Sequence, residues 1–338
     1  MTTTLPSLDQ SRDLLLPGLQ AAVARIDPQA AVFVRYHLGF TDRYGTPENK
    51  PGGKAIRPAL ALLGAEATGH DRADAAPAAA AVELVHNFSL IHDDLMDRDA
   101  TRRHRPTVWA LWGDGAAVLA GDAMLSVAYE SLFEAPTVHT AAAARLLGAA
   151  VQELIAGQVA DLAFETRSRV SLAECEQMVA GKTAALLSAS SAIGAVLCGA
   201  GDLQVAALAE YGRQLGMAFQ LVDDVLGLWG DPSVTGKPVY SDLRQHKKTL
   251  PITWAIENGG SAGEQLAACL ADDDACSDTA EIARAAALVE ESGGRRWAED
   301  EARRRVTDAL AALDRIAMPA PCRTDYESIA RFVVERNR

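Results

Sequence analysis

Apolar residues recur at three- and four-residue spacing along the whole chain, and no convincing period-2 run interrupts them. That pattern predicts amphipathic helices from end to end and an all-α fold. Ala-rich stretches dominate, whereas the β-branched and aromatic runs that favour strands are sparse. The chain has 338 residues, 49% of them hydrophobic, enough for a sizeable core in one large domain or two ordinary ones. Turn-rich breaks fall at RYGTPENKPGG (43–53), GDPSVTGKPVYSD (230–242), ENGGSAG (257–263) and ESGG (291–294). They read as helix–helix connections and not as domain linkers. A single domain over 1–338 is therefore expected, with residues 1–10 loose.

The formal net charge is -13. Nucleic acid is not an expected partner, because phosphate-backbone binding needs a clustered basic footprint. An anionic small substrate would need local help, from metal ions and a few Lys and Arg inside one cleft. Cys175, Cys198, Cys269, Cys276 and Cys322 form no C-x-x-C pair. The odd count, with no secretory pattern at the N-terminus, predicts reduced thiols in a cytoplasmic protein. No transmembrane segment is expected. The long uncharged stretch from Thr183 to Gly201 is mostly Ala, Ser and Gly, too weakly apolar for a bilayer, and reads as a buried helix. Asp272, Asp273 and Asp274 read as a solvated loop or helix start.

Two helical patterns end in acids. In ELVHNFSLIHDDLMDRDATRRHRPT, an apolar run leads to Asp93, Asp94 and Asp97. Asp93 and Asp97 form a like-charged i,i+4 pair, which destabilises a helix by roughly 0.2–0.5 kcal/mol. A divalent cation would offset that cost, and Mg2+ suits one or two carboxylates completed by waters and substrate phosphates. In QLGMAFQLVDDVLGLWGDP, Asp223 and Asp224 follow another apolar run, with Phe219 and Gln220 one turn earlier and Asp231 at the Gly-Pro end. Taken alone, either cluster is also what a solvated helix end with capping acids looks like. Facing each other across a cavity, the two would hold metals that grip a diphosphate from both sides.

Basic residues lie near both clusters. Gly-rich GGKAIRP carries Lys54 and Arg57, which can converge on phosphate. Arg102 and Arg103 follow the first acidic cluster. Lys182 and Thr183 read as the opening of a helix, a natural phosphate position. Lys237 lies in a Gly/Pro loop, and Lys247 and Lys248 follow Asp242. Each Lys taken singly is also an ordinary surface charge. His86 sits seven residues before Asp93, two helical turns away on the same face, which suits hydrogen bonding to a diphosphate. His92 points elsewhere and reads as structural.

In order, GGKAIRP, LIHDDLMDRDATRRHRPT, AGDAML, GQVADL, GKTAALLSAS, FQLVDDVLGLWGDP and SDLRQHKKTLP resemble the motifs of the trans-prenyl diphosphate synthase family, from about Gly52 to Pro251. The resemblance implies one large antiparallel helical bundle around a deep central cavity, usually a homodimer. It implies a trans-prenyltransferase that condenses isopentenyl diphosphate with allylic diphosphates, using three Mg2+ ions, to make a short all-trans prenyl diphosphate. Asp93 and Asp97 match direct Mg2+ ligands, with Asp94 supporting. Asp223 matches the ligand of the third ion, beside Asp224. Lys54, Arg57, His86 and Arg103 match the isopentenyl diphosphate site. Arg102, Lys182, Lys237 and Lys247 match the allylic diphosphate site. Thr183 and Gln220 would line the reacting carbon, and Gln158 with Asp161 would support it.

Departures from the pattern are Gly227 in place of a third Asp, His104 and His246 in place of Gly, and Ala55 where Arg is common. The Gly227 position reads as outer-shell, with Asp231 or water compensating, so restoring an acid there is expected to change activity only modestly. Phe88, five residues before Asp93, matches the position that limits chain growth. With Ser89 small and no insertion in DDLMD, it favours a C20 product, C15 close behind. Two other readings stay open. A class I terpene cyclase needs no isopentenyl diphosphate site, which Lys54, Arg57 and Arg103 argue against. A weakly active diphosphate-binding partner subunit has only Gly227 in its favour.

Overall fold

The structure, a computed structural model, describes residues 6–48, 53–231, 239–245, 247–270 and 279–335. Its first half comprises α1 (Pro6–Ala24), α2 (Pro28–His37), α3 (Ile56–Glu66), a 3-10 turn (Arg72–Ala75), α4 (Ala76–Met96), β1 (Thr101–Arg102), β2 (Arg105–Pro106), α5 (Val108–Trp112) and α6 (Asp114–Phe133). Then come α7 (Thr140–Glu165), α8 (Leu172–Val179), a π turn (Ala180–Ala184), α9 (Ala185–Leu197) and α10 (Asp202–Trp229). The last are α11 (Ser241–Arg244), α12 (Leu250–Asn258), α13 (Gly260–Leu270), α14 (Thr279–Glu291), α15 (Gly294–Leu313) and α16 (Ala320–Glu335). The fold is all-α, as the apolar spacing predicts.

The chain forms two compact units. The first comprises Met1–Ala149, Ala189–Ala209 and Ile316–Tyr326; the second comprises Ala150–Ser188, Glu210–Arg315 and Glu327–Arg338. In the first unit α4 is the central helix, packed by α1, α3 and α6. Its first two turns and more are apolar, and Ala78 to Val82 are buried throughout. Polar residues enter only from Glu83 onward. In the same unit α3 and α9 approach to backbone contact: a Cβ on Gly194 would lie 1.9 Å from the Ala61 carbonyl. Ala, Ser and Gly in the uncharged stretch serve this packing, and Ser190 and Ser191 are fully buried.

In the second unit, Val179, Ala184, Leu221, Val222, Val225 and Leu250 share one apolar cluster. A capping box starts α8: Ser171 Oγ accepts from the Glu174 N–H, and the Glu174 carboxylate accepts from the Ser171 N–H, satisfying two otherwise orphaned donors. Three helical stretches, 114–133, 140–165 and 172–197, are long and apolar enough to cross a membrane by length and composition, with 44%, 33% and 72% of their apolar windows buried. Only the last overlaps the uncharged stretch singled out in the sequence.

Two local features depart from the sequence reading. Residues 101–106 form a small antiparallel hairpin, Thr101 opposite Pro106 and Arg102 opposite Arg105. Arg103 and His104 at its tip have φ of 50° and 61°, the two positive φ values that a tight two-residue hairpin turn requires. That explains why glycine suits position 104. Lys182 and Thr183 do not open a helix. They lie in the π turn, in the middle of the helical stretch from Leu172 to Leu197, so the helix N-terminus argument fails for them. Close packing accompanies this turn: a Cβ on Gly157 of α7 would lie 2.2 Å from the Lys182 nitrogen.

Candidate active site

In the first unit, α4 carries Glu83, His86, Asn87, Asp93 and Asp94, and Asp97 caps its C-terminus. Arg57 at the start of α3 lies 3.3 Å from His86 Nε2. Since a guanidinium only donates, Nε2 accepts and the His86 proton sits on Nδ1. Burial, and then Arg57, Arg103 and Arg102, hold the His86 pKa well below its ordinary value. The ring is neutral and presents a donor amid guanidinium groups. His37 is similar: burial, then Arg102 and Arg103, push it down to about 3. Like charges held this close are stabilised when an anion arrives.

The hairpin delivers Arg102 and Arg103. Arg102 Nε donates to Asp94 Oδ1 at 2.6 Å, and its terminal nitrogen lies 3.9 Å from Asp93 Oδ2. Burial pushes Asp94 up to about 6 despite Arg102. Asp94 is therefore engaged by the protein, whereas Asp93 and Asp97 are half-buried. The hairpin itself is anchored: Thr107 Oγ1 and Trp109 Nε1 each donate to the Asp99 carbonyl at 2.8 Å. Lys54 is exposed in the loop before α3. Phe88 is 5% exposed and meets the His92 ring edge-on, centroids 5.4 Å apart. His92 bonds the Val118 carbonyl at 3.1 Å, the structural role expected of it.

In the second unit, Thr183 Oγ1 donates to Gln220 Oε1 at 2.9 Å, and Gln220 Nε2 donates to Asp224 Oδ1 at 2.8 Å. Asp224 Oδ2 accepts from the Leu250 N–H at 3.0 Å. Burial, then Asp242 and Asp223, push Asp224 up to about 8 against these bonds. Asp224 thus orients the Gln220 amide, while Asp223 is half-buried. Lys182 pairs with Asp161. Gln158, one turn before Asp161, is 8% exposed, and its Nε2 has no hydrogen-bond partner among the described residues. Lys247 is half-buried, its N–H donating to the Asp242 carbonyl at 2.9 Å. Lys237 and His246 lie outside the described residues.

Gly227 is accounted for. A Cβ there would lie 2.1 Å from Asp242 Oδ2, so the Asp242 carboxylate occupies the space a third acid of the motif would need. Asp231 is exposed.

A family model described as polyprenyl synthetase matches residues 46–288. The chain belongs to the polyprenyl synthetase family. It is 54% identical over 336 residues to a (2E,6E)-farnesyl diphosphate synthase of Mycobacterium tuberculosis, covering 98% of this chain and 93% of the relative. It is 42% identical over 307 residues to a geranylgeranyl diphosphate synthase of the same organism, covering 90% and 87%. A crystal structure of a polyprenyl synthetase from Streptomyces coelicolor superposes with a TM-score of 0.93 at 48% identity, covering 98% of this chain and 99% of that one.

Glu83, Asn87 and His37 were not singled out in the sequence. Asn87 Nδ2 donates to Glu83 Oε1 at 3.0 Å, and burial raises the Glu83 pKa. Their signal was available in part. Glu83, His86, Asn87, Asp93, Asp94 and Asp97 form a polar stripe at helical spacing on α4, a helix that begins with apolar turns. His37 left no such pattern, because α2 reaches the site only through tertiary packing.

Proposed function

We propose that this chain is a short-chain trans-prenyl diphosphate synthase, a transferase that joins isopentenyl diphosphate head to tail to allylic diphosphates. The observation that carries the reading is the cluster of Arg57, Arg102 and Arg103 around a neutral, Nδ1-protonated His86, two turns before Asp93 and about three before Asp97. Lys54, Arg57, His86 and Arg103 bind isopentenyl diphosphate. Arg102, Lys182 and Lys247, with Lys237 beyond the described residues, bind the allylic diphosphate.

The donors suit Mg2+. Asp93, Asp97 and Asp223 offer hard carboxylate oxygens, and Asp94 and Asp224 are engaged with protein partners. Among the described residues no three acid, His or Cys side chains already converge as a metal cage, consistent with an ion completed by water and substrate phosphates. Asp93 and Asp97 would hold two ions and Asp223 a third. Bound Mg2+ supplies charge neutralisation to the departing diphosphate.

The chain's own groups do the rest. Lys182, held by Asp161, steadies the leaving diphosphate as the allylic C–O bond ionises. Thr183 and Gln220, oriented by Asp224, line the resulting carbocation with fixed oxygen dipoles. The double bond of isopentenyl diphosphate attacks C1, and a proton leaves for the released pyrophosphate. Binding both substrates at once fixes their approach, and the apolar walls keep out water that would quench the cation.

The product is C20, with C15 next. The two mycobacterial relatives carry one of these names each, so the length is read from Phe88, the single aromatic on α4 at that depth. Phe88→Ala should shift products to longer chains; an unchanged product distribution means Phe88 is not the floor. The protein is a soluble, cytoplasmic homodimer. α6 exposes Val118, Leu119 and Phe133, the last at 67%, and a second copy covering this face explains them.

The deciding experiment incubates purified protein with Mg2+, isopentenyl diphosphate and dimethylallyl, geranyl or farnesyl diphosphate, with products identified by mass spectrometry. Linear prenyl diphosphates are expected. A cyclised hydrocarbon formed without isopentenyl diphosphate would mean a terpene cyclase. No turnover alone, but stimulation of a second synthase, would mean a partner subunit.

A further inference from the structure

Helix α1 lies wholly before residues 46–288, the part that matches the family model. One of its side chains nevertheless reaches the basic cluster. Arg12 Nη1 pairs with Asp9, one turn earlier, at 2.7 Å. Arg12 Nη2 donates to the carbonyl of Gly53 at 2.8 Å. Gly53 immediately precedes Lys54 and has a φ of 90°, a left-handed conformation open to glycine and strained for other residues.

The other side of Gly53 faces Arg103. A Cβ on Gly53 would lie 3.0 Å from Arg103 Nη2. The Gly53 backbone is thus held between two guanidinium groups, one gripping its carbonyl and one packed on its α-carbon. Two residues later Ala55 is also left-handed, with φ of 53°, before α3 begins at Ile56. A short segment with two left-handed residues is held by outside contacts more than by its own preferences. Arg12, Ala55, Glu83 and Arg103 also line one cavity of about 310 Å³. Arg12 therefore shares this cavity with Arg103.

We propose that Arg12 is a positioning residue for the isopentenyl diphosphate subsite. By fixing the Gly53 carbonyl it sets the direction of Lys54 and the seat of the Arg103 guanidinium, and Asp9 orients Arg12 for that task. The proposal rests on the functional reading above for the identity of the ligand. The clamp itself does not, and it can be tested apart from turnover.

Arg12→Ala and Arg12→Lys separate positioning from mere support of α1. With the allylic substrate saturating, Arg12→Ala should raise the KM for isopentenyl diphosphate by about tenfold, the scale of one charge-assisted hydrogen bond. The kcat and the KM for the allylic substrate should stay within about twofold. Arg12→Lys, which keeps one charged donor, should recover part of the loss. A melting temperature that falls in Arg12→Ala while both KM values hold, or both KM values rising together, overturns the proposal. Amide hydrogen exchange of residues 53–57 in the substrate-free protein is the second readout. It should speed up in Arg12→Ala, and unchanged exchange there overturns the clamp. If wild-type protein fails to turn over isopentenyl diphosphate with any primer, the functional reading falls, and the exchange measurement still decides the clamp.

Discussion

Asp93-Asp94 and Asp223-Asp224 are the same dipeptide at the end of the same kind of apolar helix, and the two units treat the second acid of each differently. Asp94 meets a cation, Arg102, at 2.6 Å. Asp224 meets neutral donors, the Gln220 amide and the Leu250 N–H. Burial raises both, to about 6 for Asp94 and about 8 for Asp224. Asp224 is the more deeply buried of the two, and Asp242 adds repulsion there, whereas a guanidinium offsets part of the burial at Asp94. One doublet is fixed by charge and the other by hydrogen bonds. In both, the first acid stays half-buried and is the better placed to reach a ligand.

The comparison breaks most sharply at the first acids. Asp93→Ala and Asp223→Ala should each lower turnover in Mg2+ by at least about a hundredfold, measured as kcat with both substrates saturating. Wild-type turnover in either variant would remove that acid from the metal site.

Gly227→Asp comes next. Its new side chain must share the space of the Asp242 carboxylate, 2.1 Å from where the Cβ would stand. The sequence pattern suggested a modest effect of restoring the family's third acid; the geometry argues otherwise. Overpacking plus like-charge repulsion should lower stability by about 2–3 kcal/mol and activity by about tenfold or more. Denaturant unfolding and steady-state rates check this. Gly227→Asp with Asp242→Gly should regain much of the loss, and a single mutant as stable as wild type would mean that Asp242 moves aside freely.

The second acids should then separate. Arg102→Ala strands a buried carboxylate and should cost about 2–3 kcal/mol, less than a fully buried pair because Arg102 is partly exposed. Asp224→Asn keeps the shape and one acceptor, and should cost about 1–2 kcal/mol. Equal costs in urea titrations would erase the distinction between charge and neutral anchoring. The smallest effect is expected at the hairpin tip. His104→Gly relieves a left-handed residue and should add about 1 kcal/mol of stability, with no gain if the tip's neighbours already compensate.

Much of this was legible in the residues. The all-α fold follows from apolar spacing that never shifts to period two. His86 could be set on the Asp93 face of α4 because seven residues is nearly two full helical turns, so its facing relative to Asp93 is fixed by local geometry. Thr183 and Gln220 were named for their motifs, but their hydrogen bond was not, since residues 37 apart meet only through packing. Lys182 was misread as a helix opening, because a π turn has no apolar period of its own. Arg12 and His37 were missed for the same reason as the bond: nothing local marks a side chain whose partner comes from another helix.

The π turn has a consequence for chain length in the other sense, the count of residues in the gene product. Relative to plain α-helix it is one residue wound into a helix that would otherwise close without it. Deleting any one of residues 180–184 would let the stretch relax to uniform α-helix with its flanks still in register, while the residues of the turn itself change the direction they face. Lys182 or Thr183 would then leave its partner, Asp161 or Gln220. A deletion scan should find this segment intolerant even though its sequence, Ala-Gly-Lys-Thr-Ala, looks like ordinary helix.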